Sequence, residues 1–167
     1  MNGLLDKLID ILEEEINIFR SLFGILEDET AALMISDVKQ LNEVIKKKEN
    51  EVLKIRLLET QREKMVHDIA EKLGCSPKGL TLSQLAGMAD IPYSQAIFKI
   101  NEKLSQFAHS IRLLNQKNQT LLQQSLGLVR DSLSMLDGLL YPGPVYHNNG
   151  KFAQTYNQSG RLVSGII

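Results

Sequence analysis

The side chains that could do chemistry are few and scattered along the sequence. His67 lies between Glu63 and Glu71, four residues from each, so a helix would place these three potential metal ligands on one face. A di-iron helical bundle needs a Glu-x-x-His pair on each of two helices, and the sequence contains no such pair. A half-exposed histidine among acidic neighbours is therefore the favoured interpretation, and no metal site is expected.

The remaining nucleophiles and bases form no catalytic pattern. Cys75 is the only cysteine, so the sequence has no CxxC pair, and no histidine lies near it along the chain. His109 is expected to be a partly buried packing residue, and His147 lies near the C-terminal end. A glycine-rich phosphate loop, a serine nucleophile elbow and a zinc signature are all missing. The sequence predicts a protein that is not an enzyme and that needs no cofactor.

Composition points to a helical protein with an aliphatic core. Hydrophobic residues make up 43% of the 167 residues, aromatic residues only 5%, and tryptophan is absent. A formal net charge of −1 gives no general attraction to nucleic acid or to an anionic membrane. The first ten residues lack the basic region of a signal peptide, and no apolar run approaches the roughly 18 residues that span a bilayer. We expect a cytoplasmic protein without stable membrane insertion.

The first helix is predicted to run to about residue 34. Its apolar residues recur every three or four positions, which is the helical spacing, and the mean near 3.5 favours packing against another long helix. This segment has eight acidic and two basic residues. The main apolar positions are Leu5, Leu8, Leu12, Ile16, Phe19, Phe23, Leu26 and Leu33.

A second helical pattern follows Ser36 and Asp37 and continues to Leu73. Ser36 and Asp37 offer an N-cap, so a break that turns the second helix back on the first is favoured over one continuous helix. Lys48 and Arg62 interrupt the apolar stripe at positions that resemble core positions. The run of residues 46–48 is all lysine, and its acidic neighbours favour a solvated face over a nucleic-acid site.

A turn and a short helix separate this pattern from the last helix. Gly74 suits the end of the second helix, and Pro77 cannot continue it. The residues Thr81-Leu82-Ser83-Gln84 are typical of a capping box that opens a short helix. Asp90 and Pro92 mark the start of another helix.

The last helix carries the most regular stripe, from Ile97 to Leu139. Ten of its thirteen positions are Ile, Leu, Phe or Met, and the exceptions Asn118, Ser125 and Ser132 lie seven residues apart. An asparagine in such a seam fixes the register of the helices, or it binds a partner helix; register is favoured. The predicted architecture is all-α, an elongated antiparallel bundle or coiled coil of three long helices plus one short helix. The stripe comprises positions 97, 100, 104, 107, 111, 114, 118, 121, 125, 128, 132, 135 and 139.

The final 27 residues have a different composition. Residues 141–167 are rich in Gly, Asn and Tyr, contain only two charged residues, and hold four of the nine aromatic residues of the chain. We therefore divide the chain into a helical bundle, residues 1–140, and a flexible C-terminal tail, residues 141–167.

This order of features resembles the FlgN-like flagellar export chaperones. The similarity includes the acidic first helix, the break at Ser36-Asp37, the lysine-rich second helix and the short helix that opens at Thr81. In the last helix it includes the pattern N-x-x-N-x-x-L-L, formed by Asn115, Asn118, Leu121 and Leu122. The tail segment that begins Tyr141-Pro-Gly-Pro-Val-Tyr146 resembles the family's Y-G-P-x-Y pattern, from which Pro142 departs.

The resemblance implies a cytosolic chaperone of the flagellar type III secretion system. Such chaperones bind the C-terminal segment of hook-associated proteins, prevent premature polymerisation, and deliver these proteins to the export gate or its ATPase components. The family's C-terminal portion carries cargo recognition. The alternative from another class is a structural coiled-coil scaffold that self-associates, and a homodimer is compatible with either.

We predict that cargo binds to the second half of the last helix and to the tail. An amphipathic cargo segment would lie in a groove between helices, and tyrosine is a common interface anchor. The tail would cover this groove, contact the export machinery or remain inert. The predicted partner-binding residues are Asn115, Asn118, Leu121, Leu122, Leu128, Val129, Met135, Leu136, Leu139, Tyr141, Tyr146 and Tyr156.

Overall fold

The structure, a computed structural model, describes residues 2–140 and shows four helices. These are α1 (Asn2–Met34), α2 (Val38–Leu73), α3 (Leu82–Met88) and α4 (Ile91–Leu140). No strand occurs in the described residues. The all-α prediction, with three long helices and one short helix, is confirmed. The predicted tail, residues 141–167, lies outside the described residues.

The chain divides into two compact units, Met1–Ser125 and Leu126–Ile167. The first unit contains α1, α2, α3 and most of α4. Of the second unit, the structure describes only residues 126–140, which form the end of α4. The boundary that the sequence suggests after residue 140 stays a prediction.

α1 and α2 are joined by a tight turn at Ser36. Ser36 adopts a left-handed backbone conformation with φ 55°. The backbone N–H of Asp37 donates to the Ala32 carbonyl at 3.0 Å, and that of Ser36 donates to the Leu33 carbonyl at 3.3 Å, which together close the end of α1. The predicted break is confirmed, and Asp37 is the N-cap of α2, since its side chain accepts a hydrogen bond from the Gln40 backbone N–H at 2.9 Å.

The other helix ends follow the sequence signals. Gly74 ends α2 in the left-handed conformation, φ 66°, which glycine adopts without the clash that a Cβ brings. Thr81 and Gln84 form the predicted capping box of α3: each side chain accepts a hydrogen bond from the other residue's backbone N–H. The Asp90 carbonyl accepts the Ser94 N–H at 2.9 Å, so α4 begins as predicted beside Pro92.

The three long helices alternate in direction. Glu15 pairs with Arg62 and Glu29 pairs with Lys48, so residue numbers rise along α1 as they fall along α2. α4 runs parallel to α1, because Asn118 hydrogen-bonds to the Leu26 carbonyl while Ile97 packs with the beginning of α1. α1 and α2 are therefore antiparallel, as predicted, and so are α2 and α4.

The main core lies at the end of the first unit where α3 packs. Aliphatic residues from all four helices meet there, and several, including Leu8, Leu12, Ile69 and Ile97, are completely buried. Burial of one such side chain stabilises the fold by about 1.5–3 kcal/mol. The cluster comprises Leu5, Leu8, Leu12, Ile16, Ile69, Leu85, Ala86, Ile97, Ile100 and Leu104.

Packing along the α4 stripe decreases toward the C-terminal end. The stripe is buried from Ile97 to Leu104 and again at Asn118, and it is half-buried at the positions between them. Leu121 and Ser125 are also half-buried, and all later stripe positions are exposed. The sequence predicts one uniform seam, whereas the structure packs this seam only as far as Ser125.

Candidate functional site: an exposed apolar surface and a buried polar layer on α4

The end of α4 carries a dense group of exposed apolar side chains. Seven of the fourteen residues 126–139 are large aliphatic residues, and each is between 49% and 73% exposed. Single exposed leucines are ordinary, but neighbouring rows of them on one helix form a patch that water solvates poorly. We call this patch the α4 terminal surface; its members are Leu126, Leu128, Val129, Leu133, Met135, Leu136 and Leu139.

Few charges accompany the α4 terminal surface. Arg130, Asp131 and Asp137 are the charged residues between positions 126 and 140, and the other non-aliphatic positions are Ser or Gly. Burial of apolar area, rather than ion pairing, would therefore dominate the binding of another chain to this surface. An amphipathic helix laid along it is the matching type of ligand.

The predicted binding residues fall into several environments. Leu128, Val129, Met135, Leu136 and Leu139 lie together on the α4 terminal surface. Asn115 and Leu122 are exposed, Leu121 is half-buried, and Asn118 is buried. Tyr141, Tyr146 and Tyr156 lie outside the described residues.

Sequence reasoning missed Leu126 and Leu133 of the α4 terminal surface. Both continue a second stripe from Leu122 in steps of four and three residues, through Leu126, Val129, Leu133 and Leu136. This stripe runs beside the stripe from Ile97 to Leu139, and the two together widen the apolar face of the helix. The spacing alone could have found both residues.

Asn118 belongs to a buried polar layer that joins three helices. Its Nδ2 donates to the Leu26 carbonyl at 2.8 Å and to Glu29 Oε2 at 3.0 Å, and its Oδ1 accepts from Thr30 Oγ1 at 2.6 Å. Glu29 Oε1 accepts from Lys48 Nζ at 2.5 Å. We call Glu29, Thr30, Lys48 and Asn118 the polar layer. Both N–H groups and the oxygen of the Asn118 amide have hydrogen-bond partners within the protein, which supports the register interpretation.

A second polar contact lies two heptads away on α1. Arg62 Nε donates to Glu15 Oε1 at 3.0 Å, and Glu15 is 4% exposed. Arg62 and Lys48 are the two residues that interrupt the apolar stripe of α2, and each pairs with a buried carboxylate of α1. Lys46 and Lys47 are exposed, whereas Lys48 is half-buried because its ammonium group pairs with the buried Glu29 carboxylate. The fourteen-residue spacing of both members was the available signal.

Burial raises the pKa of Glu15 above its ordinary value of 4.5. The Arg62 charge and hydrogen bond oppose this shift, and the nearby Glu59 carboxylate adds to it. The folded state therefore holds a proton on Glu15 more readily than the unfolded state does. The resulting contribution to stability is fully present below pH 4.5 and is lost as the pH rises through the raised pKa of the folded protein.

We expect Glu15→Gln to gain stability relative to the parent as the pH rises from 4.5 upward, because glutamine cannot ionise and its oxygen can still accept from Arg62. Denaturant unfolding of both proteins at several pH values measures the difference. Glu14→Gln removes the same charge from the exposed neighbouring position and serves as the control. If the stability of Glu15→Gln relative to the parent falls as the pH rises, the raised pKa of Glu15 is contradicted.

The residues considered for chemistry lie apart. His67 Nε2 is 3.4 Å from Glu71 Oε1, and both side chains are more than half exposed. Within residues 2–140, no three His, Cys, Asp or Glu side chains gather to hold a metal ion. His109 is exposed, so the expectation of a partly buried histidine is wrong, because the residue projects away from the packed seam.

Within residues 2–140, no helix is both long and apolar enough to cross a membrane.

The fold and the α4 terminal surface are typical of helical proteins that bind another chain along an apolar helical face. The sequence model of the family described as FlgN protein matches residues 1–160, and the chain belongs to this family. It is accordingly a flagellar export chaperone, a class that serves flagellum assembly through type III export and is not known for enzymatic activity. The resemblance found in the sequence is confirmed. No curated protein and no solved structure matches the chain.

Proposed function

We propose that this chaperone acts in the cytoplasm on hook-associated proteins. It binds their C-terminal segment, prevents premature polymerisation, and delivers them to the type III export gate. The observation that carries the proposal is the α4 terminal surface, a dense exposed apolar face on a chain of the FlgN family.

The proposed docking site follows from exposure and chemistry. Leu128, Met135 and Leu139 are 69%, 73% and 73% exposed, so a partner helix reaches them without rearrangement of the core. Met135 adapts its shape to different neighbours, which suits a surface that accepts more than one cargo. Leu121 and Leu122, which lie in the first unit, are proposed as further binding residues. Asn118 contributes no direct contact in this proposal, because its amide is buried and fully bonded.

Binding of this kind is reversible by its energetics. A cargo segment that is unfolded until it assembles loses conformational entropy when it docks, which keeps the affinity moderate. Moderate affinity allows release at the export gate. In the proposal Tyr141, Tyr146 and Tyr156 contribute to recognition, either of cargo or of the export gate and its ATPase components.

Titration calorimetry with the full chain and with a chain that ends at Leu140 tests the proposal. The ligands are purified hook-associated proteins of the same organism, and the control ligands are the same proteins without their C-terminal segment. We expect saturable binding that requires this segment. Weaker binding to the shortened chain would place part of the recognition in residues 141–167. Equal binding of intact and truncated ligands would contradict the proposal.

Self-association is the second candidate function. The same α4 terminal surface would serve as the interface of a scaffold or tether in which a second copy supplies the partner helix. Size-exclusion chromatography with light scattering, at protein concentrations of about 1 to 100 μM, distinguishes a scaffold from a chaperone. This range is on the order of typical binding constants. A scaffold forms a fixed oligomer over this range and does not bind cargo, whereas a chaperone binds cargo whether or not it forms a homodimer.

A further inference from the structure

The seam of α4 is repetitive, and its apolar contacts alone specify register poorly. The residues one heptad away from Asn118 are Ile111 and Ser125, and the seam residues between them are leucines. A shift of α4 along α1 by one heptad, about 10 Å, exchanges most apolar contacts for similar ones. The segments on either side of α3, residues 74–81 and 89–90, contain no helix.

The polar layer discriminates between these registers. At the position opposite Leu26, Glu29 and Thr30, Asn118 supplies two donors and one acceptor. Ile111 would supply none. Ser125 has a single donor, and its hydroxyl already donates to the Leu121 carbonyl of its own helix at 3.0 Å. The observed register is therefore the one in which every polar group of the layer is satisfied.

Loss of the Asn118 amide affects the other members of the polar layer unequally. Thr30 Oγ1 also reaches the Leu26 carbonyl, at 2.9 Å, and Glu29 keeps its contact with Lys48. An aliphatic residue at position 118 would leave Glu29 Oε2 without its donor, while Glu29 Oε1 stays paired with Lys48, and it would add apolar contact in the seam. The Asn118 amide therefore satisfies Glu29 and also selects one pairing of the helices.

We propose that Asn118 is a specificity-determining residue that restricts α4 to a single register on α1. The register sets which α4 residues of the first unit, up to Ser125, pack against α1. The inference depends only on contacts within the first unit and holds whichever partner the chaperone binds.

Distance measurements between spin labels test the proposal on the full chain. In a Cys75→Ser background, Asp28→Cys on α1 and Gln116→Cys on α4 introduce labels at two exposed positions. Double electron–electron resonance should give one narrow distance with Asn118. With Asn118→Leu added, we expect a second distance or a displaced one, while the helical circular dichroism stays at the parental level.

Ser125→Leu is the matched control, because it adds a leucine one heptad away and removes no hydrogen bond between helices. It should keep the single parental distance. An unchanged distance in Asn118→Leu would overturn the proposal. So would loss of helical structure in that variant, since the amide would then be needed for folding. The same new distance in Ser125→Leu would also overturn it, because added apolarity would be the cause.

Discussion

Replacement of Leu128, Met135 and Leu139 by glutamine should weaken the binding of hook-associated proteins at least about 100-fold, which corresponds to about 2.7 kcal/mol. The thermal unfolding midpoint should stay within about 2 °C of the parent, because surface substitutions change stability little. The three side chains are 69–73% exposed in the free protein, so they contribute little to folding. Each of these side chains contributes about 1.5–3 kcal/mol to the binding free energy when a partner covers it fully, and glutamine loses most of this contribution.

The matched control changes three exposed polar residues of the same helix, Gln123, Gln124 and Ser134, to alanine. It should bind like the parent, because the apolar face is intact. Calorimetry gives the affinities and circular dichroism gives the midpoints. If the parent binds cargo and the glutamine variant binds it with the same affinity, the α4 terminal surface is not the docking site. The proposed chaperone function would be unaffected by that result.

The helix boundaries were predictable because short-range chemistry determines them. Asp37, Gly74 and the Thr81–Gln84 pair act on backbone groups within a few residues, and each ends or begins a helix where the sequence indicates. Ser36 shows the limit of such signals. The sequence marks it as a possible cap, but it occupies the left-handed position that closes α1, and Asp37 caps α2 instead.

The depth of packing along α4 was not predictable from its periodicity. Leu114 and Leu128 occupy equivalent positions of the stripe, yet Leu114 is half-buried and Leu128 is 69% exposed. Periodicity identifies which face of a helix is apolar, and the neighbouring helices decide how much of that face is covered. The candidate site arises from this difference, so the sequence alone located only part of it.

The polar layer was hidden for a related reason. Lys48 belongs to a lysine run although its position in α2 resembles a core position, and Glu29 looks like one more acid of an acidic helix. In the structure the two residues pair across the turn, and Glu29 is buried while Lys48 is half-buried. The shared fourteen-residue spacing of the two acids and the two bases marks the candidates, but the tertiary register decides which acid meets which base.

Leu12→Ala should lower the free energy of unfolding by about 2–5 kcal/mol. For a chain of this size, that loss lowers the thermal midpoint by about 5–15 °C. Leu12 is completely buried in the cluster where Ile69, Leu85 and Ile97 bring the other three helices together. Alanine loses the burial of the removed atoms and leaves a cavity that four packed helices cannot readily close. Denaturant unfolding followed by circular dichroism measures the change.

Leu53→Ala is the control, because Leu53 is 61% exposed on α2, and it should change the free energy of unfolding by less than about 0.5 kcal/mol. Below its lowered midpoint, Leu12→Ala should bind hook-associated proteins with parental affinity, since the substitution lies in the first unit and leaves the α4 terminal surface unchanged. Leu12→Ala should lose stability and keep its affinity for cargo, whereas the glutamine variant should keep its stability and lose affinity. A small loss of stability in Leu12→Ala would mean that the cluster relaxes around the missing side chain, and the four-helix contact would then not be the main support of the fold.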